Sequence, residues 1–96
     1  MKFSWDPRKA DTNFRKHGIA FDEALTVFND PLALIFDDMA HSDDEHREII
    51  IGFSALSRLV LVCFVERDED TIRLISARRA TNDEIKDYET NARKQI

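Results

Sequence analysis

The hydrophobic pattern changes period along the chain. After a short apolar stretch at Lys2–Trp5, a strand candidate, Asp6-Pro7 reads as a helix start, with Asp as N-cap and Pro as first helical residue. This helix should run to about His17 and stop at Gly18, which supplies the left-handed position after a helix. Ala10, Phe14 and His17 share one face by their spacing, and Lys9, Asn13 and Lys16 share the adjacent one. A second helix is predicted from Phe21 to about Asn29, with Phe21, Ala24, Leu25 and Phe28 as its apolar stripe. Asp30-Pro31 ends it, because the residue before proline disfavours helix.

The pattern then becomes that of strands. Leu32–Phe36, Arg47–Phe53, Arg58–Glu66 and Thr71–Arg79 are rich in Ile, Val and Leu, and Asp37 to Glu45 is an acidic loop. The four-residue joins Ser54–Ser57 and Arg67–Asp70 permit antiparallel hairpins but no parallel crossovers. Thr81-Asn82-Asp83-Glu84 is a capping box opening a last helix, Asn82 to Lys94, with Ile85, Tyr88 and Ala92 on one face. The order β-α-α-β-β-β-β-α describes one α+β domain over residues 1–96, a mainly antiparallel sheet packed against helices. Ile49–Ile51 and the seven-residue run Leu59–Val65 do not alternate. Both sheet faces are therefore expected to be covered, one by the first helices and the other by the last helix or a partner chain.

Composition narrows the classes. Ninety-six residues, 43% apolar and 34% charged, allow one core and no separate cofactor domain. Neither a G-x-G-x-x-G nor a P-loop pattern occurs, so a cofactor-dependent small-molecule enzyme has little support. No run approaches the ~20 apolar residues of a membrane span. With no signal-peptide pattern and a lone Cys63, the chain is expected to be cytoplasmic, without a disulfide. The net charge of −5 argues against nucleic acid. Its distribution does not: residues 1–20 hold five Lys/Arg against two Asp, and residues 21–48 hold nine acids against Arg47 alone. A basic N-terminal segment and the arginines of residues 49–80 have the composition of a shared cationic face.

Several residues are candidates for chemistry, each with a plainer reading. His17, at a helix end beside Lys16, suits a general base or a simple dipole contact. Arg73, Arg78 and Arg79 lie on or at the end of the last strand, where an arginine can hold a phosphate bidentately or pair with surface acids. Strand alternation points Arg78 opposite to Arg73 and Arg79. Arg58 is similarly ambiguous. Glu45 and Arg47 form either an acid–base pair or an exposed ion pair. Trp5 and Tyr88 suit base stacking or the core. His41, Asp43 and Asp44 lack a firm ligand spacing, so no metal site is expected, and Cys63 should be buried and inert.

The blocks Trp5-Asp6, Lys9, Asn13, Lys16-His17-Gly18-Ile19, Phe21 and Asp30-Pro31 resemble the BrnT toxin family. Asp44-Glu45-x-Arg47, Ile51-Gly52, Arg73-x-Ile75-Ser76-Ala77-Arg78-Arg79-Ala80-Thr81, Glu84 and Tyr88 continue the resemblance in register, to about residue 89. It implies a RelE-like fold and a metal-independent endoribonuclease without cofactor that inhibits translation. It also implies neutralisation by a BrnA-type ribbon-helix-helix antitoxin, and repression of the shared operon, with operator DNA reached only through the antitoxin. A homodimer and a two-to-two complex with the antitoxin are the candidate assemblies. On this resemblance Lys16, His17, Glu45 and Arg78 would be catalytic, with Arg78 on the phosphate and His17 or Glu45 as base or acid. Lys9, Arg47 and Arg79 would bind the RNA substrate, on the ribosome or free. Net acidity is awkward for RNA affinity, which leaves a competing class: a degenerate toxin serving as an antitoxin-binding, co-repressing module.

Overall fold

The computed structural model describes residues 1–39 and 45–94. Strand β1 (Lys2–Ser4) is followed by α1 (Pro7–His17) and a short α2 (Phe21–Ala24) that runs into a 3-10 turn (Leu25–Asn29). Then come β2 (Leu34–Asp37), β3 (Arg47–Phe53), β4 (Leu59–Asp68), β5 (Thr71–Arg79) and α3 (Asn82–Lys94). The expected order holds. The second helix is not continuous: after one α-helical turn the backbone tightens at Leu25, where the Thr26 hydroxyl donates to the Glu23 carbonyl at 2.6 Å.

The five strands form one sheet in the order β1-β5-β4-β3-β2. The sheet is mixed, not mainly antiparallel as expected. The short joins dictate the β3–β4–β5 meander, but β1 lies beside the last strand and runs parallel to it, pairing Lys2 to Ser4 with Thr71 to Arg73. No short-range signal encodes that pairing, because β1 is tied to β5 only through the whole intervening chain.

The non-alternating strands are explained by two cores on opposite faces. Val60, Val62 and Phe64 of β4 pack with Ile50, Leu74 and Ala77 against Ile19, Phe21, Ala24 and Val27. Leu61 faces the other way, into a smaller cluster with Ile51 and Tyr88, flanked by Leu59, Ile49 and Ala92. Helix α3 therefore covers the second face, but only where Tyr88 and Ala92 reach it. The same helix is tied down by Asp30, whose carboxylate accepts from the Leu32 and Phe53 N–H groups and from the Tyr88 hydroxyl at 2.7 Å. Gly52 makes that junction possible: a Cβ there would stand 3.1 Å from Asp30 Oδ2, Ala33 Cβ and Val27 Cγ1.

Helix α1 begins and ends as its sequence dictates. Asp6 Oδ1 accepts the Arg8 N–H, Pro7 follows the cap, and Gly18 closes the helix at φ 72° with its N–H on the Phe14 carbonyl. Its buried residue is polar. Phe14 is 55% exposed, and the buried position is Asn13. Strand β1 stops opposite Arg73, so among the described residues the rest of β5 has no strand on that side. The Asn13 carboxamide takes the place of one: its Nδ2 donates to the Ala77 and Ile19 carbonyls, both at 2.9 Å, and its Oδ1 accepts the Ala77 N–H at 3.0 Å. A polar side chain is buried there because it completes an open β edge.

Candidate functional site

Two concavities meet the Ile75–Ser76 stretch of β5 among the described residues. The first lies between α1 and the uncovered part of that strand; Arg8, Lys9, Thr12, Asn13, Lys16 and His17 line it from the helix, with Ile75 and Ser76 as the strand wall. Asn13 fixes its depth by holding α1 to Ala77. Lys9 and Lys16 flank Asn13 on this helix face, so burying Asn13 brings both residues to the groove. The second lies on the α3 side of the sheet, beyond the reach of Tyr88 and Ala92. Ile49, Leu61, Cys63 and Ile75 line it together with Asp38, Arg47, Ser76 and Arg78. Ile75 and Ser76 belong to both walls, so the two concavities meet across them.

That meeting point is a β-bulge. Cys63 pairs with Ser76 and Phe64 with Leu74, which leaves Ile75 as an extra residue. The bulge also overturns the expected alternation of the arginines. Arg73 pairs with Val65 and Arg78 with Leu61, four residues apart on β4, so these two share the α3 face. Arg79 pairs with Val60 and belongs to the opposite, helix-side face, where its charge acts on Glu23.

Of the residues expected at a site, Lys9, Lys16 and His17 therefore line the first concavity, and Arg47 and Arg78 the second. Arg79 and Glu45 line neither. The Glu45 carboxylate is ion-paired with Arg67. Arg58 is structural: its guanidinium holds the buried Glu23 carboxylate, which also accepts from Ser54 Oγ at 2.7 Å and is kept below the usual carboxylate range chiefly by Arg58. Trp5 packs edge-on against Phe21, and Tyr88 against Phe53, so both rings serve packing.

Arg78 is held from behind. Its Nη1 and Nη2 each donate to Glu84 at 2.8 Å, and Nη1 also reaches the Arg79 carbonyl at 3.1 Å. Glu84 is in turn fixed by the Thr81 N–H at 2.7 Å, the capping box foreseen for α3. The Arg78 hydrogen bonds, reinforced by Thr81, bring the Glu84 carboxyl down to about 2 despite its partial burial. The cap of α3 thus doubles as an anchor for Arg78.

Asp38 and Cys63 went unnoticed in the sequence as a pair. Asp38 is buried although it sits in an acidic stretch, and its N–H bonds the Arg47 carbonyl at 2.9 Å. Cys63 Sγ donates to Asp38 Oδ2 at 3.6 Å; burial and then the carboxylate push the thiol up to about 11, so it stays protonated. Only tertiary structure brings these residues together, since they are 25 apart in the chain.

His41, Asp43 and Asp44 lie outside the described residues. Among the described residues, Asp37, His46 and Glu48 bring one ligand-type atom each within 4.8 Å of one another, with His46 Nε2 on Asp37 Oδ1 at 2.9 Å. Register puts Asp37 and Glu48 on the helix-side face, opposite Arg47 and Ile49. No helix among the described residues is long and apolar enough to cross a membrane.

The sequence over residues 5–84 matches the family model described as the ribonuclease toxin, BrnT, of type II toxin–antitoxin systems. The chain belongs to the BrnT family. Its fold is similar to the crystal structure of the Brucella abortus ribonuclease toxin, BrnT, with a TM-score of 0.65 and 26% identity, over 85% of this chain and 99% of that one. A search of curated proteins returned no match. The BrnT match spans both concavities, from Trp5 before α1 to Glu84 behind Arg78.

Proposed function

We propose that this BrnT chain is an endoribonuclease that halts translation by cleaving RNA without a metal, acting as one RelE-like toxin domain in the cytoplasm. One observation supports it most: a helix wall with Lys9, Lys16 and His17 meets a sheet wall with Arg47 and Arg78 across Ile75 and Ser76. An RNA phosphate at that junction has cations on both sides. In the reaction, the ribose 2′-OH attacks the adjacent phosphorus and the bond to the 5′-oxygen breaks, leaving a 2′,3′-cyclic phosphate. The 2′-OH proton goes to a base, and the departing 5′-oxygen takes a proton from an acid. His17 fills one of these roles and Lys16 stabilises the phosphorane beside it. Arg78, oriented by Glu84, and Arg47 hold the phosphate oxygens. Each proton transfer contributes roughly 10²–10⁴ in rate, and the fixed cations a comparable factor. Glu45 and Arg79 have no part in this scheme.

On the same reading, a BrnA-type ribbon-helix-helix antitoxin neutralises the toxin by direct binding and joins it in repressing their operon. The rival reading, a co-repressing module without catalysis, draws on the net charge of −5 and on the Glu84 pair already occupying Arg78. Inducible expression in a bacterial host, with and without the antitoxin gene, separates the two. Growth arrest and loss of radiolabelled protein synthesis are expected, relieved by antitoxin and removed by Arg78→Ala with the fold verified by circular dichroism. Normal growth at verified soluble expression refutes the enzyme and favours the module.

A further inference from the structure

A guanidinium holds its five N–H donors in one plane, as two forks that share Nη2: Nη1 with Nη2 at the end, and Nε with Nη2 along the side. In Arg78 the end fork is taken by Glu84, with Nη1 on Oε1 and Nη2 on Oε2, both at 2.8 Å. The second Nη1 hydrogen goes to the Arg79 carbonyl at 3.1 Å. Two donors are left over, Nε–H and the second Nη2 hydrogen, with no partner among the described residues. They belong to the same edge and point in parallel, the arrangement that matches two oxygens of a phosphate. The Arg78 side chain keeps 37% of its surface exposed although its end fork is covered, and it lines the second concavity beside Ile75 and Ser76.

Glu84 is not placed to let go. Its Oε1 also accepts the Thr81 N–H at 2.7 Å, and its own N–H reaches Thr81 Oγ1 at 3.3 Å. Releasing Arg78 by swinging the carboxylate away would undo the cap of α3. A phosphate therefore meets an arginine whose rotamer freedom was already lost on folding, and its two remaining donors are fixed in direction.

We propose that Glu84 is a positioning residue: it clamps the end fork of Arg78 so that the side fork, Nε–H and Nη2–H, takes two oxygens of one RNA phosphate while the Glu84 pair stays intact. The proposal rests on the ribonuclease reading for its substrate, and deepens it. The acid beside Arg78 then assists phosphate binding and does not compete with it.

The test is a double-mutant cycle on the purified chain, with Glu84→Gln, Arg78→Ala and the two combined. Glutamine also closes a capping box, so Glu84→Gln spares the helix start and disturbs the clamp. Cleavage of an oligoribonucleotide is followed, and binding of its uncleavable 2′-O-methyl version by fluorescence anisotropy. Glu84→Gln is expected to lower kcat/KM by about 10- to 100-fold and to weaken binding, and to do neither once Arg78 is alanine. Arg78→Lys should fare as badly as alanine, because an ammonium has no second fork. In the unaltered chain, the nuclear magnetic resonance signal of Arg78 Nε–H, assigned by its loss in Arg78→Lys, should shift and exchange more slowly with water when the uncleavable RNA binds. An unmoved signal in bound protein overturns the proposal whatever the variants do to the fold. Equal losses with and without Arg78 overturn it and leave Glu84 a helix cap. Tighter binding by Glu84→Gln overturns it and makes Glu84 a competitor of the phosphate. Cleavage that Glu84→Gln leaves intact overturns it and keeps the ribonuclease. Coupled loss of binding without cleavage of any RNA supports the clamp and overturns the ribonuclease. No RNA binding by the parent chain overturns both.

Discussion

Replacing Asn13 probes the join on which the first concavity depends. Asn13→Ala removes two donated hydrogen bonds and one accepted bond, all to backbone atoms of Ile19 and Ala77. Both of those residues are buried, at 0% and 1% exposure, so water does not easily replace the lost partner. A buried group left unpaired costs about 1–3 kcal/mol. The Ala77 N–H bears that cost in full, while the two carbonyls bear part of it, since each keeps a second lone pair. The sum is about 3 kcal/mol, a large share of the ~5–15 kcal/mol that stabilises a domain of this size. In a urea titration the midpoint should fall at unchanged slope. In a thermal melt, each kcal/mol is worth about 4–8 °C for a domain of this length. Asn13→Asp sharpens the argument. Its carboxylate still accepts the Ala77 N–H but cannot donate to the carbonyls, so near neutral pH it should be at least as damaging as Ala. On acidification the protonated carboxyl regains a donor, and the gap to the parent protein should narrow. A loss below about 1 kcal/mol for Ala, with no pH dependence for Asp, would show that α1 is held to β5 by apolar packing alone.

Two further expectations follow from named contacts. The Glu84 carboxyl is held at about 2 against an ordinary 4.5, so its pairing with Arg78 stabilises the fold fully above pH 4.5 and loses that contribution as pH falls toward 2. The stability difference between the parent and Glu84→Gln should therefore be largest near neutral pH and shrink between pH 4.5 and 2 in urea titrations; a constant difference would refute the assignment. The two glycines should fail for different reasons. Gly18→Ala meets no atom within 4 Å and should cost only the left-handed backbone, about 1–2 kcal/mol. Gly52→Ala forces its Cβ against three atoms at 3.1 Å, should cost about 1–3 kcal/mol, and should loosen the Asp30–Tyr88 contact, read as a lower phenol pKa in a spectroscopic titration.

Helix α1 and strands β3 to β5 were legible because their signals are local. Asp6-Pro7 and Gly18 bound α1 within a residue, and the short joins left the meander no other topology. The Thr81-x-x-Glu84 box announced α3, although nothing local said that Glu84 also holds Arg78. Lys9 and Lys16 were legible as one helix face and His17 as part of the adjacent one; the structure lines one concavity with all three, and the bulge brought Arg78 beside Ile75 and Ser76 on the neighbouring wall. The burial of Asn13 beside an exposed Phe14 was not legible, because hydrophobicity alone ignores an unfinished β edge that a carboxamide can complete. Glu45 and Arg79 drew attention by charge, and their partners turned out to be Arg67 and the field around Glu23.

Periods, caps and turn lengths are interactions over a few residues, so the chain by itself determined the order of the elements, the limits of α1 and α3 and the two-sided burial of β4. The placement of β1 beside β5, the extra residue at Ile75 and the meeting of Asp38 with Cys63 are pairings between distant segments. Many partners would satisfy each segment alone. The choice among them is made by packing the whole sheet between α1, α2 and α3, and only the tertiary structure decided it.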